Sequence, residues 1–496
     1  MKIKLLFLCA CMFLLSCSGD TRLDGYLYLR LNANPTTLDP AFIVDVTGGN
    51  ISAKIFNGLV RFDERLNIIP DIAGSWYISK DGRVYTFKLK KGVRFANGRE
   101  VEAGDFKYSF ERILNPGTRS PNTWVLEAIL GAKEYMNGKI AEVSGIKVID
   151  RYTLRLITRE PFMPFMGLLA MTAAYVVPKE EIERLGAEFS RYPSGTGPFK
   201  ISEWRQSQWL RLVVNDSYFE GRAKIKGIIY RIIPEDLTAI AEFETGRLDA
   251  IGIPASEFRR YMSDNRWKDK ILSGVGMNTY YLGLNCSRRP FDNPVVRRAV
   301  AYAIDRKKIL DTVYQGRGQL AESVIPPMLL RIRSSEFRVR SYKYDPEMAR
   351  RLLKEAGYPE GLRIKIYITA DQEVLDIVEV IQHYLKEAGI YAEIRSLEWS
   401  AYKEALNKGE PDAFWLSWWA DYPDPENFLF PVFHSSNWGA AGNRTRFKNT
   451  EVDKLIEKAQ KAVDVKMRYK LYRDAELRII EQVPWVFFWH RIEYVM

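Results

Sequence analysis

The sequence predicts an α/β protein made of more than one domain, and three observations support this. Its 496 residues exceed the roughly 250–300 that one hydrophobic core usually serves, so two or more domains are expected. Strand and helix patterns alternate along the chain, which is the order of α/β construction. Hydrophobic residues make up 47% and charged residues 27% of the chain, a composition typical of globular proteins.

Short apolar runs mark the strands. Residues 84–89 (VYTFKL) alternate between apolar and other side chains, which predicts a half-buried strand. Residues 210–214 and 228–233 are more continuously apolar and predict buried strands. A further strand is expected over 485–489.

Capping signals mark the helices. Asp345 is a good helix cap, and an apolar stripe follows it as far as Gly357, so a helix is predicted between them. By contrast, the glycines of residues 273–276 (SGVG) favour a loop, with a hinge as the alternative. Similar apolar stripes predict helices over 373–388, 451–462 and 466–481.

The N-terminus has the pattern of a signal peptide. Two lysines precede an apolar run over 5–15 that is shorter than a confident membrane span. The run ends in a serine followed by Cys17, which resembles the bacterial lipobox, whose cysteine is diacylated after cleavage. An ordinary cleaved signal is the alternative. We expect a signal peptide over 1–16 and a lipidated tether over 17–23.

Charge does not indicate a nucleic-acid-binding protein. The formal net charge is +11, but the basic residues are spread along the chain, whereas nucleic-acid binding needs them concentrated. The densest stretch, residues 331–340 (RIRSSEFRVR), also carries a glutamate and a phenylalanine. A solvated loop is favoured there over a phosphate-binding patch.

No pattern of catalytic or metal-binding residues emerges. The chain has 3 histidines, far apart in sequence, and no paired-cysteine or HExxH pattern, so neither a metal site nor a cofactor is predicted. It also lacks a phosphate-binding glycine loop and a nucleophile elbow. We therefore expect a protein that is not an enzyme.

One segment, Asp412 to Asn427 (DAFWLSWWADYPDPEN), is unusually rich in tryptophan. Its alternation predicts a strand that runs into a turn, with Trp418 and Ala420 on one face and Trp419 and Asp421 on the other. An ionised aspartate among aromatic rings needs a cation as its partner. A ligand ammonium or an arginine of the protein would each satisfy Asp421.

Several segments, in the same order along the chain, resemble family 5 extracytoplasmic solute-binding proteins, the oligopeptide-, dipeptide- and nickel-binding components of ABC importers. The resemblance implies a two-lobed periplasmic-binding-protein-like fold of the class II type, with an extra domain inserted in the first lobe. The segments that carry it are 55–116, 195–204 (GTGPFKISEW), 243–250, 290–305, 344–358 and 412–427. The implied divisions are lobe I over 24–56 with 192–276 and 488–496, the inserted domain over 57–191, and lobe II over 277–487.

The resemblance also implies the ligand site. Asp421, in a motif like Trp-x-Ala-Asp-Tyr, would hold the ammonium of an extended peptide. In one familiar oligopeptide binder, the position of Trp415 is an arginine for the peptide carboxylate, and that of Asn122 is a pocket tyrosine, so the group that holds the peptide's C-terminus is not predicted. The other implied ligand-binding residues are Ser417, Trp418 and Trp419 on the same strand, Val46 in lobe I, Trp399 as a side-chain pocket aromatic and Tyr281 near the hinge.

The function implied is capture of extended oligopeptides between two closing lobes and delivery to the membrane subunits of an ABC importer. The protein would be a monomer, extracytoplasmic and lipid-anchored to the cell membrane, at the periplasmic face or the cell surface. An oligosaccharide is the main alternative ligand, because the tryptophans could stack on sugar rings. A metal chelate has less support, since histidines are few.

Overall fold

The structure is a computed structural model, and it describes residues 22–329 and 342–496. The predictions for the signal peptide, for Cys17 and for residues 331–340 lie outside the described residues. Within them, no helix combines the length and the apolar character that a membrane crossing requires.

Seventeen strands and fifteen α-helices make up the described part of the chain. The strands are β1 (Tyr26–Leu31), β2 (Val60–Phe62), β3 (Ile68–Pro70), β4 (Ala73–Ile78), β5 (Val84–Leu89), β6 (Ile146–Asp150), β7 (Thr153–Ile157), β8 (Phe199–Arg205), β9 (Trp209–Val214), β10 (Gly227–Ile232), β11 (Leu272–Val275), β12 (Asn278–Leu284), β13 (Gly318–Leu320), β14 (Leu362–Thr369), β15 (Ile390–Leu397), β16 (Ala413–Trp419) and β17 (Trp485–Val495). The helices are α1 (Val46–Ile55), α2 (Ala103–Leu114), α3 (Ala132–Met136), α4 (Phe165–Leu168), α5 (Lys179–Leu185), α6 (Asp236–Glu244), α7 (Phe258–Ser263), α8 (Pro294–Ala303), α9 (Arg306–Thr312), α10 (Pro346–Glu355), α11 (Gln372–Glu387), α12 (Trp399–Lys408), α13 (Phe430–Phe433), α14 (Thr450–Lys461) and α15 (Val465–Gln482).

The elements predicted from periodicity and caps are confirmed. Strands β5, β9 and β10 match the predicted runs to within a residue, and the Asp345 side chain accepts a hydrogen bond from the Met348 N–H at the start of α10. Two expectations are corrected. Residues 272–275 form strand β11, because their backbone pairs with the end of β17, and β17 itself extends past residue 489 as far as Val495.

Two separate sheets form the two halves of the molecule. The first has the order β1-β10-β9-β8, and helix α1 packs beside it. The second contains β17, β12, β16, β14 and β15 in that order, with β13 and β11 paired to β17. In the second sheet, apolar side chains alternate between two hydrophobic clusters, one on each face, which is the pattern of a sheet covered on both sides.

The chain crosses between the two halves at two adjacent places. One crossing runs from β11 into β12, and the other is the continuous strand β17. They are tied together where the Gly276 N–H donates to the Arg491 carbonyl (2.8 Å) and the Arg491 N–H to the Asn278 side chain (2.7 Å). Beyond this point, the end of β17 pairs with β11, and Met496 packs in a small cluster with Ile251.

Between α1 and β8 the chain builds a third unit. Its sheet has the order β4-β5-β7-β6 and packs around its own hydrophobic cluster. One residue of that cluster, Tyr422, comes from the turn after β16 in the second half. The predicted domain boundaries stay predictions, although each predicted unit contains a sheet of its own.

Candidate ligand-binding site

The predicted site residues converge on one edge of the second sheet. Strands β14, β15, β16 and β17 run in the same direction, and β12 runs opposite to them. The carboxyl ends of these strands therefore meet at a single edge, where open α/β sheets commonly bind ligands. Trp399 follows β15, Asp421 follows β16, and Arg491 lies near the end of β17, at the crossing between the two halves.

The turn after β16 holds Asp421 in place. Its backbone N–H donates to the Asn427 side-chain oxygen (2.9 Å), and the Asn427 amide donates back to the Asp421 carboxylate (3.3 Å). The Ala420 N–H donates to the Met277 carbonyl (2.9 Å), which joins the turn to the crossing strand. Asn427 lies inside the predicted motif, but its role as the support of Asp421 needs the geometry of the turn to be seen.

Asp421 is a carboxylate without a cation. No lysine, arginine or histidine of the described residues forms an ion pair with it, and solvent reaches it. Neighbouring protein atoms nevertheless replace much of its hydration, and this desolvation raises its pKa, while the hydrogen bond from Asn427 opposes the rise. The alternative that a protein arginine neutralises Asp421 is not supported.

The faces predicted for Trp418, Ala420 and Trp419 are confirmed, whereas Asp421 lies beyond the end of β16. Trp418 and Ala420 pack against one hydrophobic cluster, and the Trp418 indole N–H donates to the Asn427 carbonyl (2.7 Å). Trp419 lies on the other face, 44% exposed, and its indole N–H donates to the Ser417 hydroxyl (3.2 Å). Trp419 therefore offers an open aromatic surface beside Asp421.

Two predicted site residues lie inside the second half instead of at its surface. The Tyr281 ring is fully buried and stacks on Trp485 with centroids 3.4 Å apart. The Trp415 ring is 3% exposed and packs against Phe488 and Trp489. Neither side chain has an open face in this conformation, because both belong to the packing of the sheet.

Val46 and Trp399 are both exposed, Val46 on α1 in the first half and Trp399 after β15 in the second. Val46 is the first residue of α1, capped by the Asp45 side chain, so its N–H lies in the turn where a helix leaves amides without partners. Trp399 begins α12, and its ring is 47% exposed. The Asn122 side chain braces the Val46 segment by donating to the Ile43 carbonyl (2.9 Å).

A cavity of about 720 Å³ lies between the first half and the crossing strand. It is lined by the end of β1, one face of α1, residues 250–255, the end of β17 and Arg317. Its charged side chains are Arg30, Lys54, Asp236, Arg317, Arg491 and Glu493.

Sequence reasoning did not single out the basic residues of this cavity. Arg317 precedes β13 and Arg491 lies in β17, far apart in sequence, and only the pairing of Gly318 with Arg491 brings them together. Tyr314 stacks on Trp489 (4.4 Å), and the Arg317 guanidinium lies over the Tyr314 ring (4.2 Å). No motif in the sequence predicts this arrangement.

A metal centre finds no support in the part of the chain that is described. No group of three or more histidine, cysteine, aspartate or glutamate side chains is placed to hold an ion there. His434 and His490 are buried, and burial lowers the pKa of His490 to about 4. His383 lies on the exposed face of α11.

Comparison with known proteins agrees with this arrangement. Residues 67–440 match the family model described as bacterial extracellular solute-binding proteins, family 5 middle. The chain belongs to this family. A family 5 chain has the two-lobed fold of periplasmic binding proteins, so the halves containing β1 and β16 are its lobes I and II, and the unit containing β4–β7 is its inserted domain.

Individual relatives align with nearly the whole length of this chain. It is 31% identical over 484 residues to heme-binding protein A of Haemophilus influenzae, covering 93% of this chain and 86% of that protein. It is 27% identical over 466 residues to the glutathione-binding protein GsiB of Escherichia coli, covering 92% and 87%. The periplasmic binding protein DppA of Helicobacter pylori, solved with the peptide STSA, superposes with a TM-score of 0.77 at 29% identity, covering 95% and 93%.

Proposed function

We propose that this solute-binding protein captures peptides in the cleft between its lobes, holds their ammonium group at Asp421, and delivers them to an ABC importer. The protein would perform no chemistry on the ligand. It would work outside the cytoplasm, as a monomer anchored to the cell membrane through a lipidated Cys17.

The observation that carries this proposal is the isolated carboxylate of Asp421. A desolvated carboxylate without a cation is costly, and a ligand ammonium is the partner that would relieve the cost. The site is held open for such a partner, because Asn427 fixes the carboxylate while its outer side remains accessible. Charge-assisted hydrogen bonds of this kind are roughly twice as strong as neutral ones.

The relatives support a ligand with an amino group. DppA of Helicobacter pylori was solved with a peptide, and GsiB is named for glutathione, which is itself a tripeptide with one ammonium. The likeness to heme-binding protein A is the reason to include heme among the ligands tested. Neither His434 nor His490, which are both buried, could reach the iron of a heme in the cleft.

The first test is to identify what the protein carries. The protein without its predicted signal peptide is measured by native mass spectrometry, then denatured, and the released molecules are sequenced. We expect a mixture of short peptides in the wild type and their loss in Asp421→Asn. Asp311→Asn is the matched control, because Asp311 is an exposed aspartate that pairs with Lys307 on α9 and does not line the cavity.

Other outcomes would contradict the ligand assignment and leave the fold unaffected. Released sugar, heme or a metal chelate would contradict the peptide proposal, as would peptides that remain bound to Asp421→Asn as tightly as to the wild type.

A further inference from the structure

The inserted domain and lobe II exchange one apolar side chain each. The ring of Tyr422, which follows Asp421 in lobe II, lies in the hydrophobic cluster of the inserted domain beside Gly167. In the other direction, Leu66 from the turn between β2 and β3 packs against a hydrophobic cluster of lobe II. Leu66 also lines a small cavity together with Pro423, the residue after Tyr422. Closely packed side chains of this kind transmit displacements from one partner to the other.

The turn that carries Leu66 has an unfavourable backbone conformation. Leu66 is left-handed, with a φ of 61°, which a leucine rarely adopts. Asp63 holds the turn, because its side chain accepts hydrogen bonds from the backbone N–H groups of Arg65 (2.8 Å) and Asn67 (2.8 Å). Glycine adopts this conformation without strain, so the leucine at this position is explained by its side chain and not by its backbone.

The contact between the two units continues along the loop between α14 and α15. Lys461 of lobe II pairs with Glu160 of the inserted domain. Val463 lies so close to Gly82 of the inserted domain that a Cβ on this glycine would stand 2.9 Å from the valine side chain. The two exchanged side chains are therefore part of a longer seam between lobe II and the inserted domain.

The inserted domain is also fixed to lobe I. The Arg112 guanidinium donates to the buried Asp39 carboxylate (2.8 Å), and the Asn122 amide donates to the Ile43 carbonyl (2.9 Å). Ile43 belongs to the segment that leads into α1. The inserted domain thus contacts both segments that are predicted to meet the ligand, the entry to α1 in lobe I and the turn after β16 in lobe II.

We propose that the inserted domain sets the distance between the ligand-binding segments of the two lobes, with Leu66 and Tyr422 as positioning residues for Asp421. This inference rests on the proposed function, and it gives the inserted domain a part in ligand binding although neither side chain would touch the ligand ammonium. A binding carboxylate has to be held within about 0.5 Å of its productive position. The hydrogen bonds from Asn427 hold Asp421 from within lobe II, and the seam holds the same turn from the other side.

Replacement of Leu66 tests this role without altering the turn of Asp421. Leu66→Gly removes the side chain that enters lobe II and keeps the left-handed backbone, so the β2–β3 turn should still form. Hydrogen exchange of the amides of residues 420–427 is measured in the ligand-free protein, and trialanine binding is measured by calorimetry. We expect exchange about 3- to 10-fold faster and affinity about 3- to 10-fold weaker, as for the loss of a half-buried leucine contact.

Two further variants serve as controls. Leu66→Met keeps an apolar side chain of similar volume and should restore wild-type exchange and affinity. Ser207→Gly is the matched backbone control, because Ser207 is also left-handed (φ 59°) but lies exposed between β8 and β9 of lobe I. It should change neither the exchange of residues 420–427 nor the affinity for trialanine.

Unchanged exchange over residues 420–427 in Leu66→Gly would overturn the positioning role, as would a trialanine affinity equal to that of the wild type. Exchange that accelerated equally in β4, β5 and β7 would also overturn it, because the variant would then destabilise the whole inserted domain. If trialanine does not bind the wild type, the peptide proposal fails, whereas the exchange rates still decide whether the inserted domain holds the turn of Asp421.

Discussion

Asp421 and Glu426 lie in the same turn after β16, but they have opposite surroundings. The Asp421 carboxylate is exposed to solvent and has one side-chain partner, Asn427. Glu426 is 3% exposed and accepts hydrogen bonds from the Tyr422 hydroxyl and from the Gln460 amide (2.7 Å). Desolvation raises the pKa of both groups, and it raises that of Glu426 to about 7.

The comparison teaches that a raised pKa does not by itself identify a ligand-binding carboxylate. Structural networks raise pKa values as readily as binding sites do. The two carboxylates differ in solvent exposure and in their hydrogen-bond partners. The carboxylate of Glu426 accepts hydrogen bonds from lobe II itself and lies beside the Arg468–Asp424 pair, whereas the carboxylate of Asp421 remains exposed to solvent.

Tyr422 extends the contrast, because it follows Asp421 directly and enters the inserted domain. Its ring lies in that domain's hydrophobic cluster and passes Gly167, where a Cβ would stand 3.3 Å from the ring. Nearby, the Met163 N–H donates to the Gln460 carbonyl (2.8 Å), and Lys461 pairs with Glu160. One turn therefore presents a polar group to solvent and an apolar group to the inserted domain.

The strongest way to test this contrast is to remove the Tyr422 ring. Tyr422→Ala would leave a cavity in the inserted domain's cluster and deprive Glu426 of a donor, so we expect a loss of about 3–5 kcal/mol of unfolding free energy. Denaturant unfolding measures it. Trp419→Ala, at the end of β16 and 44% exposed, should cost less than about 1 kcal/mol. Equal losses in the two variants would contradict the burial of Tyr422.

The second prediction concerns the pH dependence of stability. Between pH 4.5, the ordinary pKa of a glutamate, and about 7, the unfolded chain releases the Glu426 proton while the folded protein keeps it. The contribution of Glu426 is thus fully present below pH 4.5 and is lost as the pH rises to 7, at up to about 1.4 kcal/mol per pH unit.

Glu426→Gln should remove this slope, since glutamine resembles the protonated side chain and does not titrate. Urea unfolding of the wild type and the variant at pH 5, 6, 7 and 8 measures the difference. We expect the variant to gain relative to the wild type up to pH 7 and to stay level above it. Curves that run parallel from pH 5 to pH 7 would show that Glu426 titrates normally.

The elements of the fold were predictable where they depend on local chemistry. The Asp345 cap and the apolar stripe after it specify α10, and the alternation over 84–89 specifies β5. Residues 272–275 were not predictable, because two glycines favour a loop locally, and the strand forms only through pairing with the distant end of β17. Long-range pairing overrode local preference there.

The ligand site was likewise predictable only where its residues lie close together in sequence. Asp421 and its tryptophans lie in one continuous motif, so the sequence displays them together. Arg317 and Arg491 come together only because β13 pairs with β17 across a long stretch of chain, and Lys54 lines the same cavity from α1. The burial of Trp415 and Tyr281 follows from how the lobe II sheet is covered, which the motif does not contain.

The smallest expected effect is the pH dependence of ligand binding, and it distinguishes the two carboxylates directly. A ligand ammonium binds the ionised form of Asp421, so affinity should fall as the pH drops through the raised pKa of Asp421, by less than about tenfold per pH unit. Trialanine titrations between pH 4 and 7 measure this. Asp421→Asn should bind more weakly at pH 7 and show no decline toward low pH.

Glu426→Gln supplies the matched variant, because it changes a carboxylate of the same turn that never meets the ligand. It should keep the wild-type decline in affinity even though it lacks the Glu426 contribution to the pH dependence of stability between pH 4.5 and 7. If Glu426→Gln abolished the decline in affinity at low pH and Asp421→Asn preserved it, Glu426 would be the carboxylate that binds the ligand ammonium. The roles assigned to the two carboxylates would then have to be exchanged.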